Sequence, residues 1–518
     1  MNVLALDQGT SATKALLVGP GGEVLGRGEV PVRTRSVGAD GVEADPEELF
    51  GSVIAAGAKA LAAAGAPAHA VALANQGETV LAWDRASGAP LSPAIVWQDR
   101  RSAAVCERLA DRAAELEGIT GLPLDPYFAA PKMTWLRENL TADGVVTTTD
   151  TWLLTRLGGE YVTDAATASR TLLLDLDAVT WSEAACAAFG LDAAALPTVA
   201  DCAGFAGETS AFGRPLPVTG IAVDQQAALL AQRCLVAGDA KCTYGTGAFL
   251  LVTTGSIAAR SSAGLSASVG WRLAGETTYC LDGQVYTAGS AVGWLAGSGV
   301  LRDPSELDAV GETVPDAGGV VFVPALAGMG APYWAPDARG VLSGLHLGTE
   351  RGHLARAVAE GIAASVVQLV SAAMADMGQT PGGGPGGYGG TGSPPVSGGV
   401  CQGGPGGWSP PGDGQHSRPP EATLTSLRVD GGLTRSRLLV QAQADLLQVP
   451  VLVYRSSDAT ALGVAALARL GAGAVGDVAE AVGPAEAESI VEPAITADEA
   501  AERIAAFRSA LPLALAGR

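Results

Sequence analysis

The amino-terminal stretch NVLALDQGTSATKALLV, residues 2–18, runs from an apolar strand into Asp7, a glycine and small or hydroxylated residues, then back into apolar sequence. A similar strand-like run surrounds a Thr/Gly turn in AKCTYGTGAFLLVTTG, residues 240–255. Apolar runs of this length that flank turn residues are typical of buried strands. The segment at 240–255 approximately repeats the strand–turn–strand pattern of residues 2–18. This repetition predicts that the chain consists of two α/β halves.

The order of elements in the first half supports a sheet covered by helices. A strand at 2–6 is followed by a strand in EVLGRGEVPV, a helix from Pro46 through EELFGSVIAAGAKALAAAG, and a buried strand at 70–76. Two later strand-to-glycine junctions lie in GVVFVPALAGMGAPYW and TSLRVDGGLTRSRLLVQAQADLLQVPV. Glycines at such junctions let backbone N–H groups face an anion at a helix N-terminus. The pattern favours an α/β class with anion-binding turns.

Length and charge narrow the function class. A chain of 518 residues exceeds what one hydrophobic core usually serves, so two domains are expected. A net charge of −21 argues against nucleic acid and anionic membranes as partners, because binding to phosphate needs clustered Lys and Arg. The seven cysteines include no CxxC pair, which indicates reduced thiols and a cytoplasmic location. We expect no secretion signal, and no apolar stretch of the roughly 18 uncharged residues that a membrane span needs.

One segment departs from this architecture. From about Gln379 to Pro420 the sequence is dominated by Gly, Pro and Ser, and it cannot bury enough apolar surface to offset its ordering entropy. It predicts a disordered insertion, with a docking loop for a partner as the alternative. His416 and Cys401 within it make a poor metal site.

The first turn carries groups suited to phosphate. Thr10 and Ser11 offer hydroxyls and Lys14 adds charge, which leaves Asp7 free to hold Mg²⁺ through water. An ordinary β-hairpin with a polar turn would have the same pattern. Lysine occurs only four times in the chain, which favours a functional reading of Lys14.

A second candidate lies in TGIAVDQQAALLAQ, where Asp224 follows an apolar strand and precedes a helix-forming run. Asp224 could cap that helix. It could equally act as a general base that accepts the proton of an attacking hydroxyl, with Gln225 orienting the acceptor.

Two glycine turns complete the set of candidates. Thr246 and Gly247 in YGTGAF could contact phosphate, and Asp430, Gly431 and Gly432 in RVDGGLTRS lie between a strand and a helix, where a nucleotide contact fits. Either stretch could instead be a simple tight turn.

In this order, these stretches resemble the carbohydrate kinases of the FGGY family, and within it the glycerol kinases. The resemblance covers nearly the whole chain outside the insertion. Its motifs are ALDQGT (5–10), NQGET (75–79), AIVWQDRR (94–101), DPYF (125–128), DTWLL (150–154), TDAATASRT (163–171), GIAVDQQAAL (220–229), TYGTGAF (243–249), GAPYW (330–334), RGVLSGL (339–345) and VDGG (429–432).

The resemblance implies an α/β fold of two ribonuclease-H-like domains, as in actin and the sugar kinases, that close over a central cleft. We place the domains at 1–236 and 237–518, with the polyol site in the first and the nucleotide site mostly in the second. The implied activity is ATP-dependent, Mg²⁺-assisted phosphorylation of a terminal hydroxyl of glycerol or a related small polyol. A homodimer and a homotetramer are both open.

The resemblance also assigns roles by position. The implied contacts to ATP and its metal are Thr10, Ser11 and Lys14 at the phosphates, Thr246 and Gly289 beside the nucleotide, Gly432 near the adenosine, and Asp7 at Mg²⁺. The implied polyol contacts are Glu78, Trp97, Tyr127, Asp224, Gln225 and Phe249. Asp224 becomes the catalytic base of an in-line phosphoryl transfer.

Gly77 departs from the family pattern. Glycerol kinases usually carry an arginine there that hydrogen-bonds the substrate, and this chain offers no side chain. A hydrogen bond to a charged group is worth roughly 1.5–3 kcal/mol, so glycerol binding could weaken. A longer polyol such as erythritol or a pentitol could fill the space, or water, Arg100 or Arg101 could do so and leave glycerol as the substrate.

Two rival functions stay open at this point. A ketose kinase acting on xylulose ranks below a polyol kinase, because those relatives carry a different stretch at residues 75–78. An actin-like nucleotide switch without transfer would keep the fold but has no use for the polyol-side residues.

Overall fold

The computed structural model describes residues 1–378, 424–454, 458–484 and 487–516. The insertion predicted at 379–420 lies outside the described residues.

The first half of the chain alternates strands and helices. Its strands are β1 (Val3–Gln8), β2 (Ala12–Val18), β3 (Val24–Pro31), β4 (Thr34–Val37), β5 (Gly41–Ala44), β6 (Ala70–Asn75), β7 (Val80–Trp83), β8 (Ala94–Ile95), β9 (Val145–Thr148), β10 (Val162–Asp164), β11 (Leu174–Asp175), β12 (Thr180–Trp181), β13 (Thr198–Ala200), β14 (Glu208–Thr209) and β15 (Leu216–Val223). Its α-helices are α1 (Pro46–Ala64), α2 (Ala103–Arg108), α3 (Ala113–Thr120), α4 (Ala129–Asn139), α5 (Thr149–Leu157), α6 (Ala165–Ser169), α7 (Glu183–Ala188) and α8 (Asp224–Ala231).

The second half is built in the same way. Its strands are β16 (Ala240–Tyr244), β17 (Ala248–Gly255), β18 (Ser266–Leu273), β19 (Glu276–Val285), β20 (Val321–Val323), β21 (Val341–Ser343), β22 (Leu427–Asp430), β23 (Val451–Tyr454) and β24 (Ala487–Val491). Its α-helices are α9 (Gly289–Gly297), α10 (Leu307–Gly311), α11 (Arg351–Asp376), α12 (Arg437–Leu447), α13 (Ala459–Gly471), α14 (Val478–Val482) and α15 (Ala497–Leu515).

The central sheets of the two halves share one plan. The first has the order β14-β15-β6-β1-β2-β3, in which β1 pairs antiparallel with β2 and parallel with β6. The second has the order β18-β19-β17-β16-β22-β23-β24, in which β16 pairs antiparallel with β17 and parallel with β22. The two similar strand–turn–strand segments in the sequence are therefore equivalent hairpins at the centre of two equivalent sheets.

Helix α1 shows why the sequence folds as predicted in the first half. The Asp45 side chain accepts a hydrogen bond from the Glu47 N–H, Pro46 occupies the first turn, and Gly65 ends the helix with a φ of 60°. The helix lies so close to β3 that a Cβ on Gly28 would be 2.1 Å from the Ala56 carbonyl oxygen. Glycine is therefore required where the helix crosses the strand.

Helix α13 joins the two halves. It follows β23 of the second sheet, yet it packs against β15, β6 and β1 of the first sheet and against α8. The Thr219 hydroxyl donates to the Ala468 carbonyl at 2.9 Å, and one apolar core runs from the first sheet into the second. The halves therefore share buried surface, and the division at 236 and 237 stays a prediction.

Helix α11 is long and apolar. By length and composition it could cross a membrane, although Glu360 lies within it and no uncharged stretch of about 18 residues occurs there. The apolar window is 78% buried inside the protein, where α11 packs against α12, β19 and β20. Its hydrophobicity is accounted for by the core.

Candidate active site

A cavity of about 440 Å³ lies between the two central sheets and is lined from both halves. The predicted site residues that line it are Thr10, Ser11, Gly77, Glu78, Trp97, Tyr127, Asp224, Gln225, Thr246 and Phe249. Among the described residues, four predicted ones do not line this cavity, namely Asp7, Lys14, Gly289 and Gly432. Asp7 and Lys14 lie on β1 and β2, on either side of the turn with Thr10 and Ser11, while Gly289 begins α9 and Gly432 follows β22.

The turn between β1 and β2 is tied to the wall of the cavity. The Thr10 hydroxyl donates to Gln76 Oε1 at 3.0 Å and accepts a hydrogen bond from the Trp97 indole N–H at 2.9 Å. Ser11 beside it is exposed and lines the same cavity. The predicted phosphate turn and the predicted polyol side are therefore one hydrogen-bonded unit.

Two carboxylates lie at the carboxyl ends of strands β1 and β15 of the first sheet. Asp7 is on β1 and Asp224 begins α8 directly after β15, and both strands pair in parallel with β6. Burial and then the charge of Asp224 raise the pKa of Asp7 to about 7, while Lys14 opposes the shift. Burial and then Glu78 raise the pKa of Asp224 to about 6, while Lys241 opposes it.

Asp7 is the carboxylate that fits a divalent cation. The charge of Asp224 contributes to the raised pKa of Asp7, and positive charge beside Asp7 would relieve that repulsion. Among the residues that the structure describes, no group of three or more His, Cys, Asp or Glu could hold a metal alone. Mg²⁺ is commonly held by one or two carboxylates, water and substrate phosphates, so the donor set fits an ion that enters with a nucleotide.

Glu78 is held by an arginine that sequence reasoning gave no role. Glu78 is buried with a φ of 57°, and its Oε1 accepts from Arg170 Nε at 2.7 Å. The same guanidinium donates to Asp282 Oδ1 on β19 at 2.5 Å. Burial raises the pKa of Glu78 and Arg170 opposes that shift. Arg170 therefore links the two halves through the cavity wall.

Arg170 lies in a recognisable sequence motif, but that motif does not show its partners. It is the arginine of TDAATASRT, one of the stretches that support the family resemblance. Its two carboxylate partners are 92 and 112 residues away, so no local pattern shows the pairing.

The space beside Gly77 is not empty. A Cβ built on Gly77 would lie 3.0 Å from Val223 Cγ2, closer than ordinary van der Waals contact. Val223 is buried and lines the cavity immediately before Asp224. A valine methyl therefore fills part of the volume in which an arginine side chain at position 77 would begin.

The two arginines suggested as substitutes differ in position. Arg100 lines the cavity and pairs with Asp125 at 3.7 Å. Arg101 instead pairs with Asp99 at 2.7 Å and with Glu43 at 3.0 Å. Of these two, Arg100 is the one placed to reach a ligand.

Three aromatic residues line the cavity and contact one another. Trp97 meets Tyr127 edge to face at a centroid distance of 5.9 Å, and it meets Phe249 on β17 in the same manner at 6.2 Å. Such a surface suits the carbon edge of a small polar molecule.

The second turn packs on the start of α9. The Gly289 N–H donates to the Gly245 carbonyl at 3.0 Å and the Ser290 N–H donates to the Thr246 carbonyl at 3.1 Å. A Cβ on Gly289 would be 2.6 Å from the Gly245 oxygen, so only glycine allows this approach. Gly432 follows Gly431, whose own Cβ would be 2.3 Å from the Tyr244 oxygen. The three nucleotide-side positions, Thr246, Gly289 and Gly432, therefore surround the end of β16.

Comparison with known proteins shows the family to which this chain is similar. The model of the N-terminal domain of the FGGY family of carbohydrate kinases matches residues 2–231, and the C-terminal domain model matches residues 240–472. A glycerol kinase of Thermus brockianus is 42% identical over 492 residues, covering 91% of this chain and 90% of that protein. A glycerol kinase of Alkalilimnicola ehrlichii is 40% identical over 513 residues, covering 96% of this chain and 93% of that protein.

Solved structures show the same fold. A Plasmodium falciparum glycerol kinase crystallised with ADP superposes with a TM-score of 0.85 at 27% identity, covering 99% of this chain and 98% of that one. A gluconate kinase from Lactobacillus acidophilus superposes with a TM-score of 0.82 at 19% identity, covering 99% of this chain and 97% of that one. At this identity the similarity shows only the fold. The predicted architecture of two ribonuclease-H-like domains around a cleft is confirmed.

Proposed function

The chain belongs to the FGGY family of carbohydrate kinases, and we propose that it transfers the γ-phosphoryl group of ATP to a terminal hydroxyl of glycerol. It is an ATP-dependent kinase, and its relatives named above are glycerol kinases. The observation that carries the proposal is the single cavity in which Asp224, Glu78 and both phosphate-type turns meet.

The shape of the acceptor end supports glycerol over a longer polyol. Val223 fills part of the space that Gly77 leaves, and the Trp97 and Phe249 rings contact each other in the lining of the same cavity. An extra hydroxymethyl group at Gly77 would meet the valine methyl. Arg170 keeps a positive charge beside Glu78 although position 77 has none.

Each residue of the cavity has a task in this proposal. Asp224 accepts the proton of the attacking hydroxyl, and its pKa of about 6 leaves it mostly ionised at neutral pH yet more basic than an ordinary aspartate. Glu78 and Gln225 orient the acceptor, while the turns at Thr10 and Thr246 hold the phosphate groups in line with it. Lys14, Gly289 and Gly432 take the nucleotide contacts that the family resemblance implies.

Mg²⁺ is part of the proposal through Asp7. When bound there with ATP, the ion supplies positive charge to the phosphate oxygens. The chain's own residues determine where the acceptor and its proton lie, and closing of the cleft excludes water that would otherwise compete as acceptor.

The proposal is tested by coupled ADP release with Mg-ATP and a panel of acceptors: glycerol, erythritol, ribitol, xylitol, xylulose and no acceptor. We expect the highest kcat/KM with glycerol and little release without acceptor. A clear preference for a longer acceptor would contradict the choice of glycerol, and ADP release indifferent to every acceptor would favour the nucleotide switch.

Asp224→Asn is the matched variant for the base. It keeps the size of the side chain and removes its ability to take a proton, so we expect loss of transfer with ATP affinity retained, measured by calorimetric titration. Full turnover in this variant would contradict the assignment of the base.

Other properties stay predictions from the sequence. They are the domain division at 236 and 237, a cytoplasmic location, assembly as a homodimer or a homotetramer, and the absence of nucleic-acid and membrane partners.

A further inference from the structure

Lys241 is a fully buried lysine behind the cavity wall. It lies on β16 with a relative exposure of 0%, and its ammonium donates to Gln225 Oε1 at 2.6 Å and to Thr243 Oγ1 at 2.9 Å. Both partners are neutral oxygens, although burying an ammonium is costly. The chain has only four lysines, so a lysine in this position calls for an explanation.

The contact determines which way the Gln225 amide faces. An ammonium has three donors and no acceptor, so the amide atom 2.6 Å from it has to be the oxygen. Gln225 also lines the cavity. With its oxygen engaged by Lys241, the amide has its NH₂ group left for a ligand.

We propose that Lys241 is a positioning residue that fixes the Gln225 amide so that it presents hydrogen-bond donors to the acceptor's hydroxyl groups. The inference rests on the proposed kinase activity and adds the polarity of one contact in its acceptor site. Asp224 and Gln225 both line the cavity, so each can contact the acceptor.

The polarity matters for the proton that is transferred. A hydroxyl has one proton, and the reaction needs that proton to go to Asp224. An amide oxygen turned towards the acceptor would compete for a hydroxyl proton, whereas an amide NH₂ binds a hydroxyl oxygen and leaves the proton free. Lys241 therefore excludes the amide orientation that would oppose Asp224.

Gln225→Glu is the decisive variant, because it has nearly the same shape and keeps an oxygen facing Lys241 while it removes the NH₂ donors. We expect an increase of about tenfold or more in KM for glycerol with an unchanged KM for ATP. An unchanged KM for glycerol would mean that Gln225 accepts from the substrate or does not contact it, and would overturn the proposal.

Lys241→Met tests the positioning step itself. It frees the amide to turn, so KM for glycerol is expected to rise severalfold while KM for ATP stays constant. Lys59→Met, an exposed lysine that donates to the Glu29 carbonyl, is the matched control and should change neither constant.

Thr243→Val separates positioning from general damage to the strand. It removes the other partner of Lys241 without touching Gln225, so we expect a much smaller change in KM for glycerol. If it raises this KM as much as Lys241→Met does, the lysine has only a structural role and the inference fails. Lack of turnover by the wild-type protein with glycerol would contradict the proposed function as well, whereas normal turnover with an unaffected Gln225→Glu variant contradicts this inference alone.

Discussion

At the scale of single residues, the raised pKa of Asp224 gives a pH dependence with a defined sign. A base works only when ionised, and a pKa of about 6 in place of 3.8 means that the base is lost as the pH falls through 6. We expect kcat/KM, which reports the free enzyme, to fall tenfold per pH unit below about pH 6. A profile that stays flat from pH 8 to pH 5 would contradict the assignment of Asp224, with its raised pKa, as the base.

Val223 gives a second prediction at this scale, on acceptor size. Val223→Ala removes the methyl groups beside Gly77, so kcat/KM for erythritol relative to glycerol should rise severalfold in the acceptor assay. Val218→Ala is the matched control, since Val218 is buried on the same strand and does not line the cavity. It should lower stability and leave the ratio unchanged; an equal change of ratio in both variants would exclude a local effect of Val223.

The site residues differ in how far the sequence reveals them. Asp224, Glu78 and Trp97 lie within short motifs, and the structure brings them to one cavity as expected. Arg170 and Lys241 act through partners that are remote in sequence or on another element, so their roles depend on packing that no local pattern encodes. The effect of Gly77 was open for the same reason, because the neighbouring methyl comes from a different strand.

At the scale of elements, the position of α8 depends on α13. Helix α8 begins at Asp224, and a Cβ on Gly463 of α13 would lie 1.9 Å from the Ala227 carbonyl oxygen of α8. The two helices therefore approach as closely as their backbones permit.

This approach predicts the effect of Gly463→Ala. The added methyl has to push α8 away, so we expect a loss of about 1–3 kcal/mol in the free energy of unfolding, as for other overpacked cores, together with a fall in kcat because α8 carries Asp224. Urea denaturation and the acceptor assay measure the two effects.

Gly51→Ala is the opposite case and serves as control. Gly51 is exposed in α1 with nothing within 4 Å of a built Cβ. Alanine there should stabilise the protein by about 0.5–1 kcal/mol with unchanged kcat, because it only improves helix propensity. If Gly463→Ala and Gly51→Ala change the free energy of unfolding and kcat in the same way, the contact between α8 and α13 does not determine either quantity.

The sequence predicts where helices and strands form better than it predicts which of them pack together. The strand at 2–6, the helix from Pro46 and the strand at 70–76 appear with small changes of boundary, since periodicity and capping are local. Nothing local indicates that α13, which follows the second sheet, would pack on the first.

At the scale of the whole molecule, Arg170 joins the halves with a buried ion pair on each side. Arg170→Met would leave Glu78 and Asp282 buried without their cation, and losing one partner of such a pair typically costs about 3–5 kcal/mol. We expect a lower midpoint of thermal unfolding and a higher KM for glycerol, because Glu78 loses its support.

Arg272→Met is the comparison for this prediction. Arg272 also joins the halves, through Asp201 at 2.5 Å, but it lies away from the cavity lining and is partly exposed. It should cost less stability and leave KM for glycerol unchanged. An equal rise of KM in both variants would mean that any contact between the halves affects the acceptor, and that Arg170 has no special role.

Trp97 touches parts of the cavity that belong to different halves, through its hydrogen bond to Thr10 and its edge contacts with Tyr127 and Phe249. Indole fluorescence depends on the polarity around the ring, so its emission should move to longer wavelength when the halves part and water reaches it. The difference between the wild type and Trp97→Phe isolates this signal from the other tryptophans. Trp97 is thus an intrinsic fluorescent probe, with which opening and closing of the cleft between the halves can be timed in a stopped-flow fluorimeter without any added label.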